Sequence, residues 1–331
     1  MRISPGIYNR SFFRVDQGVG GKYGVTLIPK GCFAGVFGYP SCVNPIVLQI
    51  ASGNAFFIGM GLTVVAFALR LWLDGRVWVS LLTVGWLAGI SLVVLSATPM
   101  SFWLYGFWLG FCVVVRIAFI VRTTFQMRAS TIIAFAFLSL SLCLAELPYR
   151  MMQRVTVFTN QPVFVLGDSL SAGIGARERV WPDVLGDLSR LKVINLARPG
   201  ASVETALDQA GQIKAVNAVV LVEIGGNDLL GRTGSPVFYR QLDQLLGKLK
   251  KGNHRIVMFE LPLLPFWNAF GRDQRVLAEK YGVTLIPKSC LVGVFGSKDA
   301  TLDGLHLSQK GHNRLARAVF GWLRIEKPVG M

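Results

Sequence analysis

A serine hydroxyl attacks an acyl carbonyl only when a base takes its proton, and histidine is the side chain whose unperturbed pKa suits that work near neutral pH. The 331-residue chain offers three histidines. His254 stands beside Lys250, Lys251 and Arg255 and reads as a solvated turn residue, while His312 falls in a helical stretch where capping or packing suits it. His306 remains, with Asp303 three residues before it in a loop that contains Gly304. That spacing lets one short segment supply both the base and the carboxylate that fixes its tautomer and stabilises the imidazolium. The candidate nucleophile is Ser169 in the stretch Gly167, Asp168, Ser169, Leu170, Ser171. Ser171 is a nearby competitor ranked below it, and the context is not the GxSxG elbow of the α/β-hydrolases.

Positioning these groups requires a scaffold, and residues 160–325 alternate strand and helix patterns. Apolar strand candidates run over Val163–Leu166, Lys192–Leu196, Ala218–Ile224, Arg255–Leu261 and Val283–Ile286. Helical stretches lie near Pro182–Leu191, Val203–Ile213, Pro236–Lys250 and Arg272–Tyr281, with a last one over Ser308–Leu323. Five short apolar strands separated by helices predict a parallel sheet covered on both faces. In such sheets ligands meet the carboxyl ends of the strands where strand order reverses. Ser169, Gly200, Asn227, Asp303 and His306 each fall just past a strand or in a loop.

Four blocks stand at those positions: GDSLSAG at Gly167–Gly173, RPGAS with Gly200, GGND with Asn227, and DGLH with Asp303 and His306. In type and order they resemble the four signature blocks of the SGNH, or GDSL, hydrolase family. The resemblance covers residues 163–324, and VEIGGNDLLG around Asn227 looks especially like the lysophospholipase, thioesterase and arylesterase branch. It implies an α/β fold, flavodoxin-like and three-layered, with a five-stranded parallel sheet. It implies Ser169, Asp303 and His306 as catalytic residues, and three oxyanion donors: the backbone N–H groups of Ser169 and Gly200 and the side-chain amide of Asn227. Asp168 and Asp228 are assigned to loop hydrogen bonding. No cofactor or metal is expected. Leu263, Leu264, Phe266 and Trp267, in the segment after the fourth strand, are candidates for an apolar wall against an acyl chain, and they suit a packed loop equally.

From Ile46 to Leu147 the chain is apolar almost without interruption. It breaks into four runs, Ile46–Leu69, Val77–Ala97, Phe102–Val121 and Ser130–Leu147, each long enough for a hydrocarbon core of roughly 30 Å. The runs lack the polar face a soluble bundle would need. Arg116 lies close enough to a run's end to snorkel, and Trp72, Trp78, Trp103 and Trp108 fall near run ends as an interfacial belt would. Four spans put both ends on one side. Arg70, Arg76, Arg122 and Arg128 on one face balance Lys22, Lys30, Arg150 and Arg154 on the other, so the count does not set orientation. No apolar core follows Arg2 and Arg10, so the start is not read as a signal peptide.

The charge of +16 comes from 34 basic and 18 acidic residues spread thinly, which suits an anionic membrane surface better than sequence-specific nucleic-acid binding. Cys32, Cys42, Cys112, Cys143 and Cys290 are odd in number and widely spaced, with no CxxC and no histidine pairing, a pattern that argues against a disulfide scaffold or a zinc site. Lys22–Gly38 repeats Lys280–Gly296 at 14 of 17 positions. The upstream copy carries none of the four blocks and reads as a non-catalytic remnant whose segment Gly24–Pro29 could compete with Gly282–Pro287 for one sheet edge.

The expected organisation is therefore residues 1–42 with the partial repeat, 43–148 as about four membrane helices, 149–160 as linker, 161–325 as the hydrolase domain and 326–331 as tail. The expected function is a membrane-anchored serine esterase acting on a lysophospholipid or other lipid or acyl ester at a bilayer, with the catalytic domain extracytoplasmic, no nucleic-acid partner and the oligomeric state undetermined. The alternatives are an O-acyltransferase or deacetylase acting on an envelope glycan, and a non-catalytic binding module.

Overall fold

The computed structural model describes residues 13–17 and 23–27, where two strands, β1 (Phe13–Gln17) and β2 (Tyr23–Leu27), pair antiparallel, and residues 44–175, 178–231 and 233–328. The rest of the repeat over residues 22–38, with Lys30, Cys32 and Cys42, lies outside the described residues.

The apolar half folds into α1 (Pro45–Ala51), α2 (Asn54–Leu69), α3 (Arg76–Leu95), α4 (Phe102–Ile120) and α5 (Phe125–Glu146). Three of them, α3, α4 and α5, are long and apolar enough to cross a membrane. The first expected run is not one rod. It bends by 92° between α1 and α2, because Gly53 takes a left-handed φ of 80° that ends α1. A break exposes carbonyls that helix geometry can no longer satisfy, and Arg150 meets this by donating to the Ser52 carbonyl at 2.5 Å and to the Asn54 side chain.

Inside the bundle Phe56, Phe67, Trp108 and Phe135 pack as one cluster. Trp108 Nε1 donates to Ser139 Oγ at 3.0 Å, tying α4 to α5. The outer faces stay bare: Trp103 is 88% exposed, and Ile133 and Phe137 are exposed as well. Apolar surface on that scale wants lipid or a partner rather than water. Arg116 sets its guanidinium over the Trp86 ring at 5.9 Å.

The second half starts with β3 (Val155–Phe158), then β4 (Val163–Gly167), α6 (Ser169–Ala172), α7 (Trp181–Ser189), β5 (Val193–Asn195), α8 (Val203–Gly211), β6 (Val219–Glu223) and α9 (Gly226–Leu230). It continues through α10 (Ser235–Lys251), β7 (Arg255–Phe259), α11 (Asn268–Tyr281), β8 (Thr284–Ile286), α12 (Ser289–Phe295), α13 (Gln309–Trp322) and β9 (Leu323–Glu326). The main sheet has the order β5-β4-β6-β7-β8 and every pair in it is parallel. This is the flavodoxin-like order, with its reversal between β4 and β6.

Strand residues alternate between two cores. Phe164, Leu166, Val220, Val222, Ile256 and Met258 pack with α8, α10 and α11 on one face. Val163, Val165, Val219, Leu221 and Val257 pack with α7, α12 and α13 on the other. Both faces are thus covered, which is why the strands read as continuous apolar runs.

One feature departs from the sequence expectation. The linker contains β3, which pairs parallel with β9 in a separate two-stranded sheet. The edge of the main sheet is β8, and β2 pairs with β1 in a separate two-stranded sheet.

Helices α2 and α3 approach closely where Gly59 and Gly89 face each other, and a Cβ on Gly89 would collide with the Thr63 side chain. Small residues let membrane helices approach in this way. Gly89→Leu is expected to separate the pair and lower the unfolding midpoint in detergent by several degrees, a shift on the order of 1–3 kcal/mol for overpacking, measured by differential scanning fluorimetry. An unchanged midpoint would remove this contact from the account.

Candidate active site

The nucleophile block is built from the sheet outward. Gly167 ends β4 opposite Glu223 at the end of β6. Its backbone is gripped by Gln209 of α8, which accepts from the Gly167 N–H and donates to its carbonyl, both at 2.9 Å. A Cβ at Gly167 would lie 2.7 Å from Ser171 Oγ, so the close approach needs glycine. Asp168 caps α6 by accepting from the Leu170 N–H at 2.9 Å, and Ser169 is the first residue of that turn.

Beneath it lies a buried polar set that sequence reasoning missed. Ser171 Oγ donates to Glu223 Oε2 at 2.8 Å and accepts from Trp181 Nε1 at 3.1 Å. Ser171 is therefore a buried structural hydroxyl and not a competing nucleophile. Burial pushes the Glu223 carboxyl well above its ordinary value, and the neighbouring Asp168 charge adds to this. Burial also raises Asp168, to about 6, against the Leu170 hydrogen bond and the His306 charge that favour its ionised form. The signal available in the sequence was a lone carboxylate in the otherwise apolar strand ValValLeuValGlu.

The base comes from the other end of the half-chain. Asp303 Oδ2 lies 2.8 Å from His306 Nδ1, and Asp303 Oδ1 accepts from the His306 and Leu305 N–H groups at 2.8 and 3.0 Å. Gly304 supplies the left-handed φ of 89° that folds the loop back. Burial pulls Asp303 upward, but the hydrogen bonds from His306 and the backbone outweigh it and hold the carboxyl below its ordinary value. A carboxylate ionised in this way favours the tautomer with the proton on Nδ1 and leaves Nε2 to accept. Ser169 and His306 are not themselves hydrogen-bonded in this state; such contacts commonly tighten only with substrate bound.

Asn227 lies in α9 after β6, where strand order reverses. Its amide donates to the Ala201 carbonyl at 2.8 Å and, more loosely, to Asp168 Oδ2 at 3.3 Å. Gly200 takes a φ of 74° with open space on the side where a Cβ would stand. Asp228 holds the Val203 N–H at 2.9 Å, the loop role expected of it. The Asn227 amide thus ties the second and third blocks to the first beside the carboxyl ends of β4 and β6.

The remaining histidines sort themselves. His312 is fully buried and accepts from the Trp181 N–H at 3.3 Å, a packing role. His254 is not the solvated residue its charged neighbours suggested: it is buried, accepts from the Ala218 N–H at 3.3 Å, and burial lowers its pKa.

A groove of about 300 Å³ opens beside α9, lined by Gly231, Thr233, Phe266, Trp267, Ala269 and Phe270. Phe266, held at a left-handed φ of 69°, is 70% exposed. Trp267 stacks on Phe270 at 5.7 Å. Of the four expected wall residues, Phe266 and Trp267 reach the groove. Leu264 is half-buried and outside its lining, and Leu263 is buried against α11 at Gly271.

Residues 165–314 match the model of the GDSL-like Lipase/Acylhydrolase family. The C-terminal half is a GDSL lipase/acylhydrolase domain. An arylesterase of Vibrio mimicus is 28% identical to the chain over 141 residues, covering 39% of this chain and 70% of that protein. Among solved structures, the psychrotrophic esterase EstA from Pseudoalteromonas sp. aligns at a TM-score of 0.44 and 21% identity, covering 49% of this chain and 96% of that one. TesA aligns at 0.43 and 23%, covering 49% and 97%. The GDSL domain makes the chain an ester hydrolase, and the apolar helices before it are compatible with a membrane segment.

The buried carboxyls give a pH prediction. A carboxyl whose folded pKa exceeds its unfolded one is favoured protonated, so its stabilising contribution is complete below the unfolded pKa and is lost as pH rises through the folded one. Asp168 loses its part between its ordinary 3.8 and about 6, and Glu223 loses its part above its ordinary 4.5. Glu223→Gln, which keeps a neutral acceptor for Ser171, is expected to flatten the fall of the thermal midpoint as pH rises above the ordinary Glu223 value of 4.5. Parallel wild-type and variant curves across that range would show that Glu223 is ionised in the folded protein.

Proposed function

We propose that this chain is a membrane-anchored serine esterase that forms an acyl-enzyme on Ser169. The observation that carries the reading is the Asp303–His306 pair at 2.8 Å. Ser169 Oγ attacks the ester carbonyl as His306 Nε2 takes its proton, and Asp303 stabilises the imidazolium through Nδ1–H. The tetrahedral oxygen is met by the Ser169 and Gly200 N–H groups and by one N–H of Asn227. The looser of the two Asn227 contacts, that to Asp168, is the one given up to the substrate. The leaving alkoxide takes the proton back from Nε2 as the C–O bond breaks. Water then repeats the sequence on the acyl-enzyme, with His306 again as base, and frees the acid and Ser169.

The substrate favoured is a lipid ester such as a lysophospholipid. Its acyl chain would lie in the groove of Phe266 and Trp267, and the apolar helices would hold the enzyme at the surface where that substrate resides. The breaks after α2 and α4 carry Arg70, Arg76, Arg122 and Arg128, whereas on the hydrolase side the break after α3 has no basic residue and only Arg150 and Arg154 follow α5. With Lys22 and Lys30 counted on that same side the balance is four against four, so the extracytoplasmic placement of the hydrolase domain rests on the lipid-ester reading and not on the charge count.

A fluorophosphonate probe followed by peptide mapping is expected to label Ser169 alone, and Asp303→Asn to lower kcat by about a hundredfold to ten-thousandfold without loss of fold. Labelling elsewhere, or none, overturns the esterase reading. Trp267→Ala is expected to cost a decanoyl p-nitrophenyl ester more of its kcat/KM than an acetyl ester. Turnover restricted to acetylated sugars, or acyl transfer to a glycan in place of water, would replace the lipid ester. For orientation, a membrane-impermeant maleimide should label Lys298→Cys in intact cells, and labelling only after lysis would reverse the topology.

A further inference from the structure

Helix α11 is shared between two neighbours, and its contacts with the membrane segment lie directly behind the groove. Arg275 reaches Glu146, the last residue of α5, through two hydrogen bonds of 2.7 Å, and its Nε donates to Glu260 Oε1 at 2.7 Å. All three side chains are buried. The guanidinium also lies 3.7 Å from the centre of the Tyr149 ring. Arg272 donates to the Met100 carbonyl at 3.1 Å and covers the Phe102 ring at 4.4 Å. Gly271 is pressed between Pro99 of the α3–α4 connection and Leu263, each about 2.7–2.8 Å from where its Cβ would stand. Three positions at i, i+1 and i+4 of α11 therefore face the membrane segment. Ala97 of the same connection belongs to the hydrolase core, and Lys288 donates to the Ala97 carbonyl.

The other side of α11 builds the groove. Ala269 and Phe270 line it, Trp267 precedes the helix, and Gln274 pins the strand that leads into it by accepting from the Leu261 N–H at 2.9 Å and donating to the Phe259 carbonyl at 3.0 Å. Glu260, held by Arg275, lies between those two residues. The backbone from β7 into the groove is therefore fixed by two adjacent residues of α11, one of them locked to the end of α5.

We propose that Glu146, at the end of the last membrane helix, is a positioning residue for ester hydrolysis: by clamping Arg275 it sets α11 and the Leu261–Trp267 segment, and so the chain-length preference of the groove. This rests on the reading of that groove as the acyl site. A simple tether would leave selectivity to the hydrolase domain alone, whereas here a carboxylate 129 residues upstream of Arg275 completes its wall.

The test uses the full chain in detergent micelles, with active sites counted by fluorophosphonate labelling so that unfolded enzyme drops out of the rates. Glu146→Gln is expected to raise KM for the decanoyl ester by roughly fivefold or more while kcat for the acetyl ester stays within about twofold, a loss of binding rather than of transition-state chemistry. Glu146→Asp, which keeps the charge, should recover part of the preference, and Glu146→Gln with Arg275→Gln should be no worse than either alone, as coupled partners require. Should those variants fail to label, Arg272→Ala removes a second membrane contact without stranding a buried charge and should shift the decanoyl-to-acetyl ratio in the same direction by a smaller factor. An equal fall on both esters, or an unchanged ratio in Arg272→Ala and the labelled Glu146 variants, overturns the proposal. Trp267→Ala separates the two ideas. If it alters the ratio while the Glu146 variants do not, the groove reading survives and the positioning role is lost; if it leaves the ratio unchanged, the groove reading itself has failed.

Discussion

The carboxyl ends of β4 and β6 stand side by side, with Gly167 opposite Glu223, and the chemistry depends on that adjacency. Parallel neighbours whose connections leave in opposite directions open a crevice that no loop fills. Ser169 rises from one strand and Asn227 from the other, while the Asp303–His306 loop comes over from the far end of the sequence. The crevice would be loose if Gly167 could move. Gln209 satisfies both of its backbone groups, and the Ser171–Glu223–Trp181 set holds the turn from below. Polar groups without access to water are costly unless every partner is present, so this arrangement resists small displacements of the nucleophile.

Two buried carboxyls so near the nucleophile also shape its electrostatics. Burial disfavours the charge on Glu223 while hydrogen bonds favour it on Asp303, so the charge that faces the imidazole through a hydrogen bond is the one that orients it. The environments, rather than the residue types, separate the three carboxyls into an orienting anion, a cap and a neutral support.

Much of this was legible in order along the chain. The five strands were legible because each is an apolar run bounded by helical periodicity, and their boundaries shift by only one or two residues. The Asp303–His306 pair was legible because three histidines leave few combinations and Asp303 sits three residues from its partner. What local patterns could not carry was tertiary. The pairing of β3 with β9 joins short amphipathic segments far apart in sequence, and His254 is buried by packing that its lysine neighbours conceal. The bend at Gly53 lies inside a run whose composition is uniformly apolar. The Glu146–Arg275 pair spans the two halves of the chain, and nothing near either residue announces the other.

That last pair bears on what the two halves are to each other. A buried ion pair seldom adds much net stability, because desolvating both charges offsets their attraction, but removing one partner strands the other at a cost of about 3–5 kcal/mol. Such a pair therefore acts as a specificity device: it tolerates one docking geometry and penalises the rest. At this junction the device is repeated, since burial pushes the Lys288 amine down to about 8 while it is held at the Ala97 carbonyl, and Arg150 closes the break before α2. Each of these cations reaches a backbone or carboxylate oxygen at the hydrolase-facing end of the helices. A flexible tether would need none of them. The arrangement is that of one folded unit in which the apolar helices and the hydrolase sheet share a wall, and α11 is that wall.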